Sequence, residues 1–235
     1  WIDSLSTKPH ISTYEIGRSR ENRALNLMEV SSGAHKKAVI IISRQHPPEV
    51  TGFLAMKSFI ETLSGDSPKA LKFRDSYDLF VVPLMNPDGV DNGNWRHNMD
   101  GIDLNRDWQD FNQPETSSVR DFLVKKEAEG YEFVFGADFH STWDDIYYPI
   151  DSTIIGKKGD IVFNWIENIA KRLPQKHTNI KPSTEIKPTM VSRNYFYVNH
   201  GMPAIVFELG DNTPRNFLKL KGKVAAEELM DLLLD

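Results

Sequence analysis

His46-Pro47-Pro48-Glu49 sets an imidazole and a carboxylate three residues apart, where an apolar run gives way to a helical pattern. A neutral ring nitrogen with one or two carboxylate oxygens is half of a site that suits Zn²⁺. The same spacing also fits an exposed turn after a strand, so the other half must come from elsewhere in the chain. His140 and Glu208 are the candidates, each following an apolar run of its own. Between the two halves lies a polar loop holding Trp95-Arg96-His97-Asn98 and Gly101-Ile102-Asp103-Leu104-Asn105-Arg106-Asp107-Trp108. Loops of this length are functional or disordered, and the Trp and Leu content argues against disorder. Singly, His140 reads as a polar strand terminus, and Arg96 or Arg106 as a surface salt-bridge former. The spacing of Arg96 and Arg106 within one loop, with Asp103 and Asn105, favours a shared anion site.

The elements that must position these groups are written in the hydrophobic pattern. Lys37 to Ser43 is a β-branched apolar run that reads as a buried strand, stopped by Pro47-Pro48. Val50 to Leu63 reads as a helix, its apolar positions Phe53, Leu54, Met56, Phe59, Ile60 and Leu63 recurring at steps fitting one face. Further strands are expected over Phe80 to Met85, emptying into the turn Asn86-Pro87-Asp88-Gly89, over Glu132 to Phe139, and over Pro203 to Phe207. Helical segments Ser117 to Lys126, Asp160 to Leu173 and Phe217 to Leu234 alternate with them. Ile11 to Ile16 and Ala24 to Glu29 read as an antiparallel edge pair around Gly17-Arg18-Ser19-Arg20. The pattern predicts an α/β fold, a mixed sheet with helices on both faces. Ligand sites in open α/β sheets lie at the carboxyl ends of the strands, where the candidates stand.

In order and in register, His46-x-x-Glu49, Asn105-Arg106, His140-Ser141 and Phe207-Glu208-Leu209 resemble the M14 zinc carboxypeptidases, over residues 46 to 208. Asn86-Pro87-Asp88-Gly89-Val90, Asn92-Gly93-Asn94-Trp95-Arg96 and Asp103-Leu104-Asn105-Arg106-Asp107-Trp108 are similar to the cytosolic-type and bacterial branches. The resemblance implies a three-layer sandwich around a mixed sheet of about eight strands. It also implies one Zn²⁺ per chain, held by His46, Glu49 and His140 with a fourth position for water. Glu208 would be the general base, Arg96 the oxyanion partner, Asn105 and Arg106 the grip on the terminal carboxylate. Asp103 would orient His46. The chemistry fits: a base must pass the water's proton to the leaving amine, an oxyanion needs a fixed cation, and a planar guanidinium binds a carboxylate through paired hydrogen bonds.

Two departures stand out. Many members of that family carry a tyrosine about twenty residues before the base, whereas Glu185-Ile186-Lys187-Pro188-Thr189-Met190 has none. Tyr195 and Tyr197 reach in from a shifted loop or pack against the sheet, with packing expected. Side-chain preference in the family depends on a residue about fifteen positions before the base, which falls near Ser192, Arg193 and Asn194. Arg193 would favour an acidic C-terminal side chain. His97, His200 and Asp211 lie near motif positions without an assigned role, and His10, His35 and His177 read as solvated.

The 235 residues, 40% of them hydrophobic, are enough for a substantial core, and a single domain over 1–235 is expected. A net charge of −5 with no basic cluster argues against nucleic acid. No apolar run reaches about eighteen residues, so no membrane span is expected. Zero cysteines exclude disulfides and thiol chemistry. Because the chain opens on Trp1 and not Met, an upstream segment is expected to have been removed, and any signal peptide would be invisible in it. The resemblance implies a peptide or a peptidoglycan-type peptide as substrate, with cleavage of a peptide or isopeptide bond, and of the secreted, periplasmic and cytosolic members of the family an extracytoplasmic bacterial enzyme is the expectation. Two other readings stay open: an aspartoacylase-like amidohydrolase that deacylates N-acyl amino acids, and a metal- or peptide-binding module without turnover.

Overall fold

The structure, a computed structural model, describes residues 1–33, 35–174, 178–184, 186 and 190–235. In chain order the strands are β1 (Ile11–Arg18), β2 (Ala24–Val30), β3 (Lys37–Ser43), β4 (Asp78–Val82), β5 (Glu132–Thr142), β6 (Ile146–Pro149), β7 (Asn179–Ile180) and β8 (Ala204–Gly210). The helices are α1 (Ile2–Leu5), α2 (Val50–Leu63), α3 (Pro68–Arg74), α4 (Pro87–Asn92), α5 (Pro114–Ala128), α6 (Ser152–Ile155), α7 (Asp160–Arg172), α8 (Ser192–His200) and α9 (Arg215–Leu234).

Among the described residues eight strands form one mixed sheet in the order β1-β2-β4-β3-β5-β8-β6-β7. Its centre, β4-β3-β5-β8, is parallel, which needs the crossover helices that cover both faces. β1 and β2 pair antiparallel at one edge, as the sequence pattern predicts. Strand β3 shows why its run is apolar throughout. Val39 and Ile41 pack toward α2, α7 and α9, while Ala38, Ile40 and Ile42 pack toward α5 and α8. Alternate side chains point to opposite faces, and here both faces are dry.

The expected bounds of β3 and α2 hold, and the other five expected strands differ: β2 runs one residue further, and β1 takes in Gly17 and Arg18 of the expected turn. β4 runs from Asp78 to Val82, because Pro83 has no N–H to continue the ladder. β5 and β8 both extend past their apolar runs, so His140 and Glu208 sit inside strands, directly paired across the parallel ladder. The short strands β6 and β7 carry too few residues to show a period.

Two details fix the position of the site end. The start of α2 lies against β5 so closely that a Cβ on Gly52 would strike the His140 carbonyl. Ser141 Oγ accepts hydrogen bonds from Gly52 N and Thr51 Oγ1, both at 2.8 Å. Behind β8, α9 buries Lys221 with its Nζ 2.7 Å from Asp145 Oδ2. Asp145 Oδ1 accepts from Gly210 N at 2.6 Å, and the ammonium lies 4.8 and 5.0 Å from the Tyr147 and Phe207 ring centres. Burial pushes the Lys221 pKa down to about 8, against the pull of Asp145. No helix among the described residues is long and apolar enough to cross a membrane.

Candidate metal centre

After β3 the chain turns at Arg44, whose φ of 59° lies in the left-handed region. Its guanidinium donates to the Pro47 carbonyl at 2.5 Å and closes the turn that carries His46. Glu49 is the residue at which α2 begins. The turn aims His46 Nδ1 at Glu49 Oε1, 2.6 Å away, while His140 Nδ1 lies 2.7 Å from Glu49 Oε2. Donor atoms of His46, Glu49 and His140 all fall within 4.8 Å of one another, and all three residues are buried.

The far nitrogen of each imidazole is also engaged. His46 Nε2 lies 2.9 Å from Asp103 Oδ1, and His140 Nε2 lies 2.9 Å from Asp138 Oδ2. Such carboxylate–imidazole contacts fix which ring nitrogen is free for a metal and raise its basicity. The donor set fits zinc on a further observation: both imidazoles turn Nδ1 onto the one Glu49 carboxylate, at 2.6 and 2.7 Å, so two nitrogens and a carboxylate converge on a single point. Two nitrogens and a carboxylate are the ligands of open zinc sites.

The charges shift one another strongly. Burial would raise the Glu49 pKa, but the charges and hydrogen bonds of His140 and His46 outweigh it and hold it at about 2. Burial would likewise lower both imidazoles, yet Asp103 and Glu49 raise His46, and Asp138 and Glu49 raise His140 well above the usual value. Asp103 is held below the usual carboxylate range by His46 and by Arg96, against its own burial. Glu208 goes the other way. Burial, reinforced by the charges of Glu49 and Asp138, pushes it up to about 7.

The remaining sequence candidates are placed as follows. Arg96 donates from Nε to Asp103 Oδ2 at 2.8 Å and stays partly exposed beside His46. Asn105 is buried; its Oδ1 accepts from Ser192 N at 3.0 Å and its Nδ2 lies 3.5 Å from His140 Nε2. Arg106 is exposed and close enough to Arg193 for the two charges to repel. Arg193, near the start of α8, donates to the Tyr148 carbonyl at 3.2 Å, and burial first, with Arg106 adding, brings its pKa down to about 10. Tyr195 packs edge-on against Phe111 and is 3% exposed, while the Tyr197 hydroxyl reaches the Ile154 carbonyl. Glu185 and residues 187–189 of the expected tyrosine loop, and His177, lie outside the described residues. His35 is corrected: it does not stand free in solvent, because Asp78 Oδ1 lies 2.8 Å from its Nε2. His10 likewise has the Ser64 carbonyl 3.1 Å from its Nε2, and His200 lies 2.8 Å from Glu127.

Several participants escape the sequence reading. Asp138 stands two residues before His140, so strand alternation puts both on one face; that signal was available. Gln45 and Ser192 each donate to Asp138 Oδ2 at 2.5 Å. Tyr148 shares a face of the sheet with Glu208, because Ile146 pairs with Glu208 and alternate residues point the same way. Its phenol pKa is raised by burial and by the Glu208 charge. Nothing local marks Tyr148, since the register of β6 against β8 brings it there. A cleft of about 460 Å³ opens above His46 and Glu49, with Trp95, Arg96, Trp143 and Asp211 in its walls.

With this geometry in view, the comparisons with known proteins are specific. The sequence model of the family described as zinc carboxypeptidase matches residues 1–227. The chain belongs to this family, M14, and so stands among the metallopeptidase hydrolases. It is 36% identical over 113 residues to cytosolic carboxypeptidase 2 of Xenopus tropicalis, covering 47% of this chain and 12% of that protein. It is 30% identical over 156 residues to cytosolic carboxypeptidase 6 of Mus musculus, covering 60% of this chain and 29% of that protein. The chain thus spans less than a third of these curated relatives. The crystal structure of a metallo-carboxypeptidase from Burkholderia cenocepacia shares the fold, with a TM-score of 0.84 at 24% identity, covering 99% of this chain and 67% of that one. The expectation of an extracytoplasmic enzyme is corrected, because the curated relatives are named cytosolic carboxypeptidases and the family resemblance by itself spans several compartments.

Proposed function

We propose that residues 1–235 form one catalytic domain, a carboxypeptidase that hydrolyses a C-terminal peptide or isopeptide bond with one Zn²⁺ held by His46, Glu49 and His140. The observation that carries this reading is the pairing of two open valences: three buried ligand atoms within 4.8 Å of one another, and Glu208 in register with His140 on the neighbouring strand. Bound there, zinc supplies Lewis acidity and lowers the pKa of water from about 15.7 toward about 7.

The chain's own residues supply the rest. Glu208, pushed up to about 7, takes the proton of the attacking water and returns it to the leaving amine, because a base whose pKa sits near neutrality can do both. Its Oε2 is buried and has no hydrogen-bond partner among the described residues, which leaves it open to that proton. Arg96, oriented by Asp103, faces the oxygen that gains negative charge. Asn105 and Arg106 grip the terminal carboxylate. Arg193 meets an acidic side chain, and its partial burial strengthens a charge-assisted contact there. Asp138 and Asp103 hold the imidazoles in the tautomer whose Nδ1 is a ligand.

The experiment is release of free amino acids by the zinc-loaded protein from linear peptides and from peptidoglycan stem peptides, with Glu208→Ala as control. Release that needs both zinc and Glu208 is expected. Zinc bound at about one equivalent without release from either pool would overturn the carboxypeptidase reading and favour a deacylase or a binding module.

A further inference from the structure

Three side chains at the mouth of the cleft have no part in the chemistry above. Trp95 and Trp143 are 83% and 82% exposed, and among the described residues neither indole stacks on another ring or carries a cation. Both line the same cleft. A large aromatic surface left in water is uncommon, and two facing one cleft mark a place where something binds. The third is Asp211, whose backbone N–H is bonded to the Thr142 carbonyl at 2.7 Å and whose carboxylate has neither ion pair nor hydrogen bond among the described residues. The lining holds a cation too, Arg96, but Asp103 already engages it at 2.8 Å. The uncompensated charge of the outer wall is therefore negative.

Position says which part of a substrate would meet this wall. Arg106 and Arg193 are not in the lining, so this wall is separate from the two guanidiniums. If those take the C-terminal residue, the acyl portion of the peptide runs between the indoles. A tryptophan face attracts a cation through its quadrupole, and a nearby carboxylate adds to it.

We propose that Trp95, Trp143 and Asp211 form a subsite for a cationic group in the acyl portion of the peptide. The group is a lysine or arginine side chain, or the free α-amino terminus of a short peptide. This subsite rests on the carboxypeptidase reading for its orientation. It makes the cleft selective at both ends, for a cation upstream and, through Arg193, for an anion at the terminus.

The test compares peptides that share a C-terminal residue and differ upstream only in lysine against norleucine, each with a free or an acetylated amino terminus. The expected result is a lysine preference of about tenfold in kcat/KM, equivalent to about 1.4 kcal/mol. It falls with added salt, because the pair is exposed. Asp211→Asn and Trp143→Ala, both at exposed positions, are each expected to bring the ratio toward one. A gain that follows the free terminus and not the side chain would identify the terminal ammonium as the cation. Equal rates for all four peptides, or a preference that survives both variants, overturn the subsite. If no peptide is cleaved, the hydrolase reading fails and a second measurement still decides this one. Quenching of tryptophan fluorescence in the Glu208→Gln protein by the lysine peptide and not by the norleucine peptide supports the subsite, and equal quenching overturns it.

Discussion

Phe207 and Glu208 are neighbours in β8 and point to opposite faces, and each side holds buried charges of a different kind. On the Phe207 side, Lys221 and Asp145 close their bonds: Asp145 gives one oxygen to Lys221 and the other to Gly210 N and the Thr213 hydroxyl. On the Glu208 side, Asp138 Oδ1 and Glu208 Oε2 are both buried without a hydrogen-bond partner among the described residues. An orphaned buried acceptor costs about 1–3 kcal/mol. Single cases occur elsewhere, as at Glu115 Oε1 and, on the Phe207 side, the Tyr147 hydroxyl, but two carboxylate oxygens gathered at one end of two paired strands are expensive for a fold to keep. A closed cluster holds structure in place, and an open one is waiting for a cation, a proton or a substrate.

The largest expected effect breaks the open side. Glu208→Gln removes the base and leaves the ligands, so kcat should fall about 10²- to 10⁴-fold while zinc binding, read by calorimetry, stays close to that of the parent. Equal losses of zinc and activity would instead make Glu208 a ligand.

The closed side should answer in stability. Lys221→Met leaves Asp145 buried and uncompensated, which costs about 3–5 kcal/mol in urea unfolding. Pairing it with Asp145→Asn should recover part of that loss. Were Lys221→Met to lower kcat steeply at a temperature where it is fully folded, the contrast between the two sides would be gone.

Asp138→Asn sharpens the comparison, because its carboxylate serves the open side from within a strand. A fall of about 10- to 100-fold in zinc affinity is expected, with a similar one for Asp103→Asn. Unchanged affinity in both would mean that the imidazoles are oriented by packing alone.

The pH profile follows with a smaller span. If Glu208 is the base proposed above it works as a carboxylate; burial lifts its pKa to about 7 and the charge of bound zinc would lower it, so kcat/KM should drop on the acid side of a midpoint at or below about 7 and rise to a plateau above it. The folded pKa exceeds the ordinary value of 4.5, so this group binds protons more tightly when folded, and its contribution to stability declines as pH rises from 4.5 to about 7. Last comes Arg193→Ala, expected to abolish a preference of about tenfold for C-terminal Glu over Leu. Competition between the two peptides reads it directly, and an unchanged ratio removes Arg193 from the pocket.

Much of this arrangement is legible in the chain, for local reasons. The run Lys37–Ser43 is apolar because both faces of β3 are covered, and α2 follows from its spacing of apolar residues. The ends of β5 and β8 were less legible. Their last residues are polar and look like loop, yet the ladder continues through His140 and Glu208. A polar residue in a strand is tolerated where it has a partner, and the partner lies on another strand.

The sequence by itself determined the types and order of the residues proposed as ligands, His46, Glu49 and His140, and as base, Glu208, and most of the strands that carry them, because both depend on residue chemistry and short-range period. Only the tertiary structure decided which groups surround them. Asp138 receives Gln45 and Ser192, Tyr148 comes beside Glu208, and Trp95 and Trp143 line one cleft through strand register and loop crossings between residues 48 to 93 positions apart. Such contacts leave no local pattern, since each is fixed by the burial of the sheet as a whole.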